Sequence, residues 1–181
     1  MKRITYAIKH ALHNCKNLKS IKTINHITDV DLHALKDTGI DVLVLDYDGV
    51  LTAHNGLQLS EEVDAWLKQA IAIFGDKVFV LSNQPKPKRI AYFQEYYPSV
   101  HFITAKKKPY PDGLLTIAEQ ADVAVNKLLL VDDRLLTGGL ACVLAGCQCF
   151  LVIRPFQDFK HHFLYEVMFA CLRKIERLIF F

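Results

Sequence analysis

The sequence lacks the features that would place it within a membrane or in an oxidising compartment. It contains no apolar run long enough to cross a bilayer. Its cysteines number five, an odd count, and no secretory signal pattern precedes them. Cys147 and Cys149 lie two positions apart, but no second cysteine or histidine pair stands at zinc-binding spacing. We therefore expect the cysteines to be small buried side chains in a reducing compartment.

Acidic residues are absent before Asp29. The same region holds six cations: Lys2, Arg3, Lys9, Lys16, Lys19 and Lys22. Because the net charge of the whole chain is only +3, the remainder is mildly acidic. We treat residues 1–28 as a basic segment with a weak amphipathic stripe that includes Ile4 and Ile8. Such a segment favours contact with an anionic surface, and a solvated helix face is the alternative.

The sequence also lacks internal repeats and low-complexity tracts. Its 181 residues, about half of them hydrophobic, favour one domain with a sizeable core. Five short apolar runs recur along the chain: "DVLVLDY", "KVFVLSN", "VHFIT", "KLLLVDD" and "CQCFLVI". Longer mixed segments separate them, one of which begins as a helix at Ser60. Continuous apolar strands that alternate with helices predict an α/β fold, with a parallel sheet covered on both faces.

Three of the predicted strands end in polar residues. The first ends at Asp46, the second at Ser82 and the fourth at Asp132. In an open parallel α/β sheet, ligands bind outside the carboxyl ends of the strands. These side chains should therefore converge on one crevice.

The end of the first strand, "LDYDG", combines two carboxylates with a glycine. Gly49 permits the sharp turn or unusual φ that the chain needs there. Asp46 and Asp48 repel each other unless a positive charge holds them ionised. Mg²⁺ is the simplest candidate, because it prefers oxygen ligands. Asp132 and Asp133 in "VDDR" lie at another strand end and can serve the same ion.

Groups that can hold a phosphate are also present. Ser82 ends the second strand, and Lys108 ends a basic run before a proline. Each has a simpler interpretation: Ser82 as a turn residue, and Lys108 as part of a solvated cluster of three lysines. Asp48 could likewise only cap the following helix.

Four motifs, taken together, resemble those of the haloacid dehalogenase (HAD) phosphatases. "LDYDGVLT" resembles the first motif, DxDGVLT, and "VLSN" the second. Lys108 before Pro109 matches the third-motif lysine, and "VDDRLLTGG" resembles the fourth. The likeness covers roughly residues 20–155. "AKKKP", "DDRLLTGG" and the lead-in "SIKTINHITDVDLHALKDTGIDVLVLDYDG" are most similar to subclass IIIA, the group that includes phosphatidylglycerophosphate phosphatases.

This resemblance implies a Rossmann-like three-layer α/β/α core and a division of roles. Asp46 would attack phosphorus and form an aspartyl-phosphate. Asp48 would protonate the leaving oxygen and then take a proton from water. The implied substrate-binding residues are Ser82, Asn83 and Lys108. The implied magnesium ligands are Asp46, the Asp48 backbone carbonyl and Asp133, with Asp132 as a further candidate.

The fourth motif departs from the subclass pattern. That pattern has Gly-Asp, with a second Asp five residues after the first. Here Asp132 takes the glycine position, and Gly138 stands where the later Asp is expected. Asp132 is expected to substitute for the missing acid, either as a ligand or beside one.

The spacing of the motifs leaves no room for a large cap domain. About 34 residues separate Asp48 from Ser82, and about 26 separate Ser82 from Lys108. We therefore predict a capless core over residues 29–155 and an open site that suits a head group on a large body. Residues 156–181 are predicted to form an amphipathic helix. Its apolar stripe comprises Leu164, Val167, Met168, Cys171, Leu172, Ile175, Leu178 and Ile179. The stripe can pack on its own domain, mediate a homodimer or rest on a membrane.

These observations favour a magnesium-dependent phosphomonoester hydrolase acting on a phospholipid head group such as phosphatidylglycerophosphate. The alternatives are a phosphatase of a soluble substrate, and a catalytically weak phosphate-binding or regulatory protein. A receiver-type signalling domain fits poorly, because its acidic pair, hydroxyl and lysine come in another chain order. We expect peripheral contact with anionic membranes and no nucleic-acid partner. The expected location is cytoplasmic, or the mitochondrial matrix side in a eukaryote.

Overall fold

The computed structural model describes residues 2–180 and has an α/β fold. Its strands are β1 (Lys22–Ile24), β2 (Val42–Leu45), β3 (Val78–Val80), β4 (Val100–Phe102), β5 (Leu128–Asp132) and β6 (Gln148–Val152). Its α-helices are α1 (Lys2–His13), α2 (Cys15–Lys19), α3 (Leu32–Asp37), α4 (Glu61–Phe74), α5 (Pro87–Tyr96), α6 (Asp112–Gln120), α7 (Leu140–Ala145) and α8 (Phe159–Phe180). Short 3₁₀ turns cover Ile27–Asp29 and Val125–Lys127, and a π-helical turn covers Leu135–Gly139.

The strands form one sheet in the order β1-β6-β5-β2-β3-β4, and every pair is parallel. This confirms the predicted parallel sheet, and the five predicted strands are β2 to β6. The edge strand β1 was not predicted. Its residues are exposed or half-buried, so no continuous apolar run marks it in the sequence.

Alternate residues of the central strands face opposite sides of the sheet. Leu43 and Leu45 of β2 belong to a core cluster that includes Leu67 of α4. Val42 and Val44 belong to a second cluster, on the other face, that includes Leu114 of α6. Helices therefore cover both faces, which gives the predicted Rossmann-like three-layer arrangement.

The segments between the motifs are ordinary crossover connections. After Asp46 the chain forms a loop, α4 and β3, and α4 begins where the Ser60 side chain accepts a hydrogen bond from the Val63 N–H. Between Ser82 and Lys108 lie α5 and β4. Within residues 2–180, no domain is inserted at either position, in agreement with the predicted capless core.

Helix α8 has its polar side inward. Glu166, Arg173 and Glu176 are buried. The predicted apolar stripe is exposed along its whole length: Leu164, Val167, Met168, Cys171, Leu172, Ile175, Leu178 and Ile179. Packing of this stripe on its own domain, one of the expected alternatives, is therefore wrong, because buried ion pairs hold the other face of the helix. No helix within residues 2–180 is long and apolar enough to cross a bilayer.

The cysteines are free thiols, as expected, but only some of them are buried. Cys142 and Cys149 lie in the core, and Cys15 and Cys147 are half-buried. Cys171 is exposed on the outer side of α8, contrary to the prediction of a buried side chain.

Candidate active site

The polar strand ends meet at the carboxyl edge of the sheet. β5, β2 and β3 are neighbours; Asp132 is the last residue of β5, and Asp46 and Ser82 come just after β2 and β3. The Asp46 N–H donates to the Val131 carbonyl at 2.9 Å. The hydrogen bonding between β2 and β5 therefore continues as far as Asp46. The structure thus brings together the three residues that the sequence placed at strand ends.

Lys108 lies between two of the carboxylates. Its Nζ donates to Asp46 Oδ1 at 2.7 Å and to Asp132 Oδ2 at 2.5 Å. Burial opposes the Lys108 charge, but Asp132 and Asp46 outweigh burial and raise the pKa of this lysine above its ordinary value. Lys108 is therefore a fixed cation in the site, and the alternative of a solvated surface lysine is wrong.

Three buried carboxylates form a cluster that fits a divalent cation. Oxygen atoms of Asp46, Asp132 and Asp133 all lie within 4.8 Å of one another. Burial raises the pKa of Asp46 well above its usual range, and Asp132 and Asp133 add to the effect while Lys108 counteracts it. Burial, with Asp132, also raises the pKa of Asp133 to about 7. Burial and mutual repulsion oppose the charged forms of these carboxylates, a divalent cation would offset both, and their hard oxygen atoms match Mg²⁺.

Gly49 allows the first-motif loop to pass close to Asp133. Its φ is +85°, a conformation that glycine adopts readily. A Cβ at this position would lie 2.6 Å from Asp133 Oδ2. The sequence prediction of an unusual φ at Gly49 is confirmed.

Asp48 is held at the site by Arg89. The guanidinium of Arg89 donates to both carboxylate oxygens of Asp48, at 2.9 and 2.6 Å, and stacks 4.0 Å from the Tyr47 ring centroid. Arg89 is itself buried, and its Nε donates to the Gly56 carbonyl. Such a bidentate pair fixes the orientation of the Asp48 carboxylate. Sequence analysis missed Arg89, which lies on α5 outside every motif.

The second-motif residues have different contacts. Ser82 Oγ accepts the Gln84 N–H at 3.1 Å and lines the cavity. Asn83 Oδ1 accepts the Lys108 N–H at 2.7 Å, and its Nδ2 donates to the Lys108 carbonyl at 3.3 Å. Asn83 therefore links the second motif to the backbone of the third through two hydrogen bonds. The Ser82 hydroxyl accepts one hydrogen bond and keeps capacity for a ligand.

Helix α8 closes one side of the site with residues that sequence analysis missed. The cavity has a volume of about 80 Å³ and is lined by Asp46, Asp48, His54, Ser82, Asn83, Gln84, Lys108, Asp133, Arg134, Thr137 and Phe169. His54 stacks on Phe169 of α8, with 4.1 Å between ring centroids, and its Nδ1 lies 3.2 Å from Glu166 Oε2. Burial lowers the pKa of His54, although Glu166 counteracts this. Arg173 Nη1 donates to Asp133 Oδ2 at 2.6 Å.

An ion pair between Glu176 and Arg134 joins α8 to the fourth-motif segment. Glu176 accepts from the Arg134 Nε at 2.9 Å and from the Leu135 N–H at 3.0 Å. The site is therefore less open than the sequence indicated, because a helix rather than a cap domain covers part of it.

The structure thus has the Rossmann-like sheet and the polar strand ends that the resemblance to HAD phosphatases predicts. A sequence model of the family described as "Mitochondrial PGP phosphatase" matches residues 3–155. The chain belongs to this family of phosphatases, and α8 lies beyond the matched residues.

No curated protein matches the chain. The crystal structure of an uncharacterized protein from Corynebacterium glutamicum is similar at 24% sequence identity, with a TM-score of 0.48. The match covers 75% of this chain and 96% of that one.

Proposed function

We propose that the chain is a magnesium-dependent phosphomonoesterase that acts through an aspartyl-phosphate on Asp46, and that its substrate is a phospholipid head group such as phosphatidylglycerophosphate. The observation that carries the proposal is the Asp46 carboxylate, held 2.7 Å from Lys108 at the end of β2, beside Asp132 and Asp133. The family description, which names PGP, supports the lipid substrate.

The covalent step uses the two first-motif acids. An Asp46 oxygen attacks phosphorus, the ester P–O bond breaks, and Asp48 gives a proton to the leaving oxygen. Water then attacks the phosphorus of the aspartyl-phosphate, Asp48 takes its proton, and inorganic phosphate leaves as Asp46 is regenerated. The two acids lie in distinct settings: Asp46 is buried beside Lys108, and the Asp48 carboxylate is held by Arg89.

The remaining polar groups would bind the phosphate and the metal ion. Lys108 and Ser82 are positioned to bind phosphoryl oxygens, which is the main protein contribution to phosphoryl transfer. The proposed magnesium ligands are Asp46, the backbone carbonyl of Asp48, Asp133 and Asp132. When bound, Mg²⁺ would offset the negative charge of the carboxylates and the phosphate.

Membrane contact is the second part of the proposal. The outer side of α8 exposes Leu164, Leu178 and Ile179, and α1 exposes Ile4 and Ile8. Lysines and arginines lie on the same two helices. Exposed apolar side chains among cations suit a helix that lies on an anionic bilayer. We propose peripheral binding, and the family description favours a mitochondrial over a cytoplasmic location.

The test is a phosphatase assay of the purified chain with and without Mg²⁺. The substrates are phosphatidylglycerophosphate in mixed micelles and a panel of soluble phosphomonoesters. We expect the lipid to give the highest kcat/KM, and chelation to abolish turnover. A soluble phosphate that reacts faster than the lipid would contradict the lipid assignment. Absence of turnover on every substrate would favour a phosphate-binding protein instead.

A further inference from the structure

A second cavity is lined by Arg173, whose guanidinium also donates to Asp133 of the active site. It has a volume of about 650 Å³ and runs between the segment after β6 and helix α8. Its charged lining residues are Arg154, Arg173, Lys174 and Arg177. Within the described chain, no carboxylate lines it. We call it the basic groove.

The cations of the basic groove lack acidic partners, apart from Arg173. Within residues 2–180, the Arg154 and Lys174 side chains make no hydrogen bond or ion pair. Arg177 donates from Nη2 to the backbone carbonyls of Val152 and Ile153, at 3.3 and 3.1 Å. Burial, with the nearby charge of Arg173, lowers the pKa of Arg177. Clustered cations that repel one another indicate a site for an anion.

Arg173 connects the groove to the active site. Its Nη1 donates to Asp133 Oδ2 at 2.6 Å, and its side chain is only 5% exposed. Its Nη2 is buried and has no hydrogen-bond partner among the described residues. A buried donor without an acceptor is costly, so Arg173 keeps hydrogen-bonding capacity that Asp133 does not use.

Apolar residues also line the groove, and one of them belongs to the outer side of α8. Ile153 and Leu178 line the groove, and Leu178 is 76% exposed. Leu178 and Ile179 belong to the exposed stripe of the helix. A ligand that joins an anionic group to apolar chains would therefore match both the cationic and the apolar residues of the lining.

We propose that the basic groove binds the phosphodiester of a phospholipid substrate while the terminal phosphomonoester lies at Asp46. This inference rests on the proposed lipid phosphatase function and extends it, because it assigns the second phosphate of the substrate to a separate set of residues. The two sites are linked through one guanidinium, because Arg173 lines the groove and donates to Asp133, which lines the active-site cavity.

The test removes groove cations that lie outside the catalytic machinery. The double variant Arg154→Gln/Lys174→Gln changes two exposed side chains, and Lys160→Gln removes an exposed cation elsewhere on α8 as the matched control. With short-chain phosphatidylglycerophosphate, we expect the double variant to raise KM at least about tenfold, since a charge-assisted hydrogen bond contributes that order of affinity. With an aryl phosphate, which has no phosphodiester, kcat/KM should stay at the parent value.

A direct binding measurement separates the groove from the proposed activity. Calorimetric titration with glycerophosphoglycerol, a soluble phosphodiester, should show binding to the parent chain and to Lys160→Gln. The double variant should bind at least about tenfold more weakly. If the chain hydrolyses no phosphate but shows these differences in affinity, the groove is a phosphodiester site and the proposed phosphatase function is wrong.

Two outcomes would overturn the inference while leaving the phosphatase function intact. One is lipid hydrolysis with the same KM in the double variant as in Lys160→Gln. The other is a titration in which inorganic phosphate binds the groove as tightly as the phosphodiester, because the groove would then be a general anion site.

Discussion

The carboxylate of Asp132 occupies the space that a side chain at position 138 would need. A Cβ on Gly138 would lie 2.1 Å from Asp132 Cγ and 2.4 Å from its Cβ. The two departures from the subclass pattern are therefore linked. With an acid at position 132, only a glycine fits at position 138. This contact supports the expectation that Asp132 substitutes for the missing acid.

The first prediction follows from this contact. Gly138→Ala should displace Asp132 from Lys108, cost roughly 1–3 kcal/mol of stability through overpacking, and lower kcat/KM. Gly139→Ala is the matched control, because its Cβ would lie 3.1 and 3.2 Å from the side-chain ends of Ile21 and Leu135 and 3.9 Å from the Arg134 carbonyl oxygen, an ordinary contact distance. Urea unfolding and aryl phosphate hydrolysis measure the two effects. Equal behaviour of the two variants would show that the Asp132 position is not constrained by Gly138.

The second prediction concerns the proposed nucleophile. Asp46→Asn should abolish turnover and leave the fold intact, because the amide has the same shape but is a poor nucleophile. Loss of a carboxylate that burial already disfavours should not lower the melting temperature greatly. Asp41→Asn, at a surface pair with Lys36, is the control for removal of an acid. Hydrolysis by Asp46→Asn at near the parent rate would refute the covalent mechanism.

The third prediction separates catalysis from structure at Asp48. Asp48→Asn should lose at least about 100-fold in kcat, the usual scale for a general acid–base group. Arg89→Lys should lose less, because lysine keeps the charge but cannot form the bidentate pair that orients Asp48. The measurements are kcat, its pH profile and the melting temperature. A lower melting temperature with unchanged kcat in Asp48→Asn would make this residue purely structural.

The fourth prediction tests the metal without using activity. Mg²⁺ should raise the melting temperature of the parent chain, because a ligand that binds only the folded state stabilises it by mass action. Asp133→Asn should lose most of this shift, since it removes one of three clustered carboxylates. Asp41→Asn should keep the Mg²⁺-dependent rise in melting temperature, and chelation should reverse that rise. The same shift in Asp133→Asn and the parent chain would place the ion elsewhere.

The sequence alone was sufficient to predict which residues of the site lie at strand ends. Asp46, Ser82 and Asp132 each follow a continuous apolar run, and parallel strands bring their carboxyl ends to one edge. The helix start at Ser60 and the turn at Gly49 carry local signals that could also be predicted. These features depend on residues that are close in the sequence.

The contacts of α8 could not be predicted in this way. His54 meets Glu166 across 112 positions, and Asp133 meets Arg173 across 40. An apolar stripe normally marks the buried face of a helix. Here ion pairs to the active site bury the charged face instead, so the pattern predicts the wrong orientation. His54 had no local signal at all, because a single loop histidine is typical of a surface.

The last prediction concerns the exposed stripe. If α8 lies on a bilayer, the chain should co-sediment with vesicles that contain phosphatidylglycerol at low salt, and less at high salt. Each cation near an anionic surface contributes about 1 kcal/mol, and salt screens that attraction. Neutral vesicles should bind much less. Deletion of residues 1–28 would not test this cleanly, because β1 lies in the sheet.

Surface substitutions on α8 give a sharper test. Leu164→Gln/Leu178→Gln removes two of the most exposed apolar side chains of the helix, at 81% and 76% exposure. Leu115→Gln, 42% exposed on α6, is the control away from the stripe. We expect the α8 variant to lose most vesicle binding and to keep aryl phosphate hydrolysis, since neither leucine lines the active-site cavity. Equal recovery with anionic and neutral vesicles, or with neither, would contradict membrane binding. A concentration-dependent dimer that the same substitutions dissolve would then identify a second copy of the chain as the partner of α8.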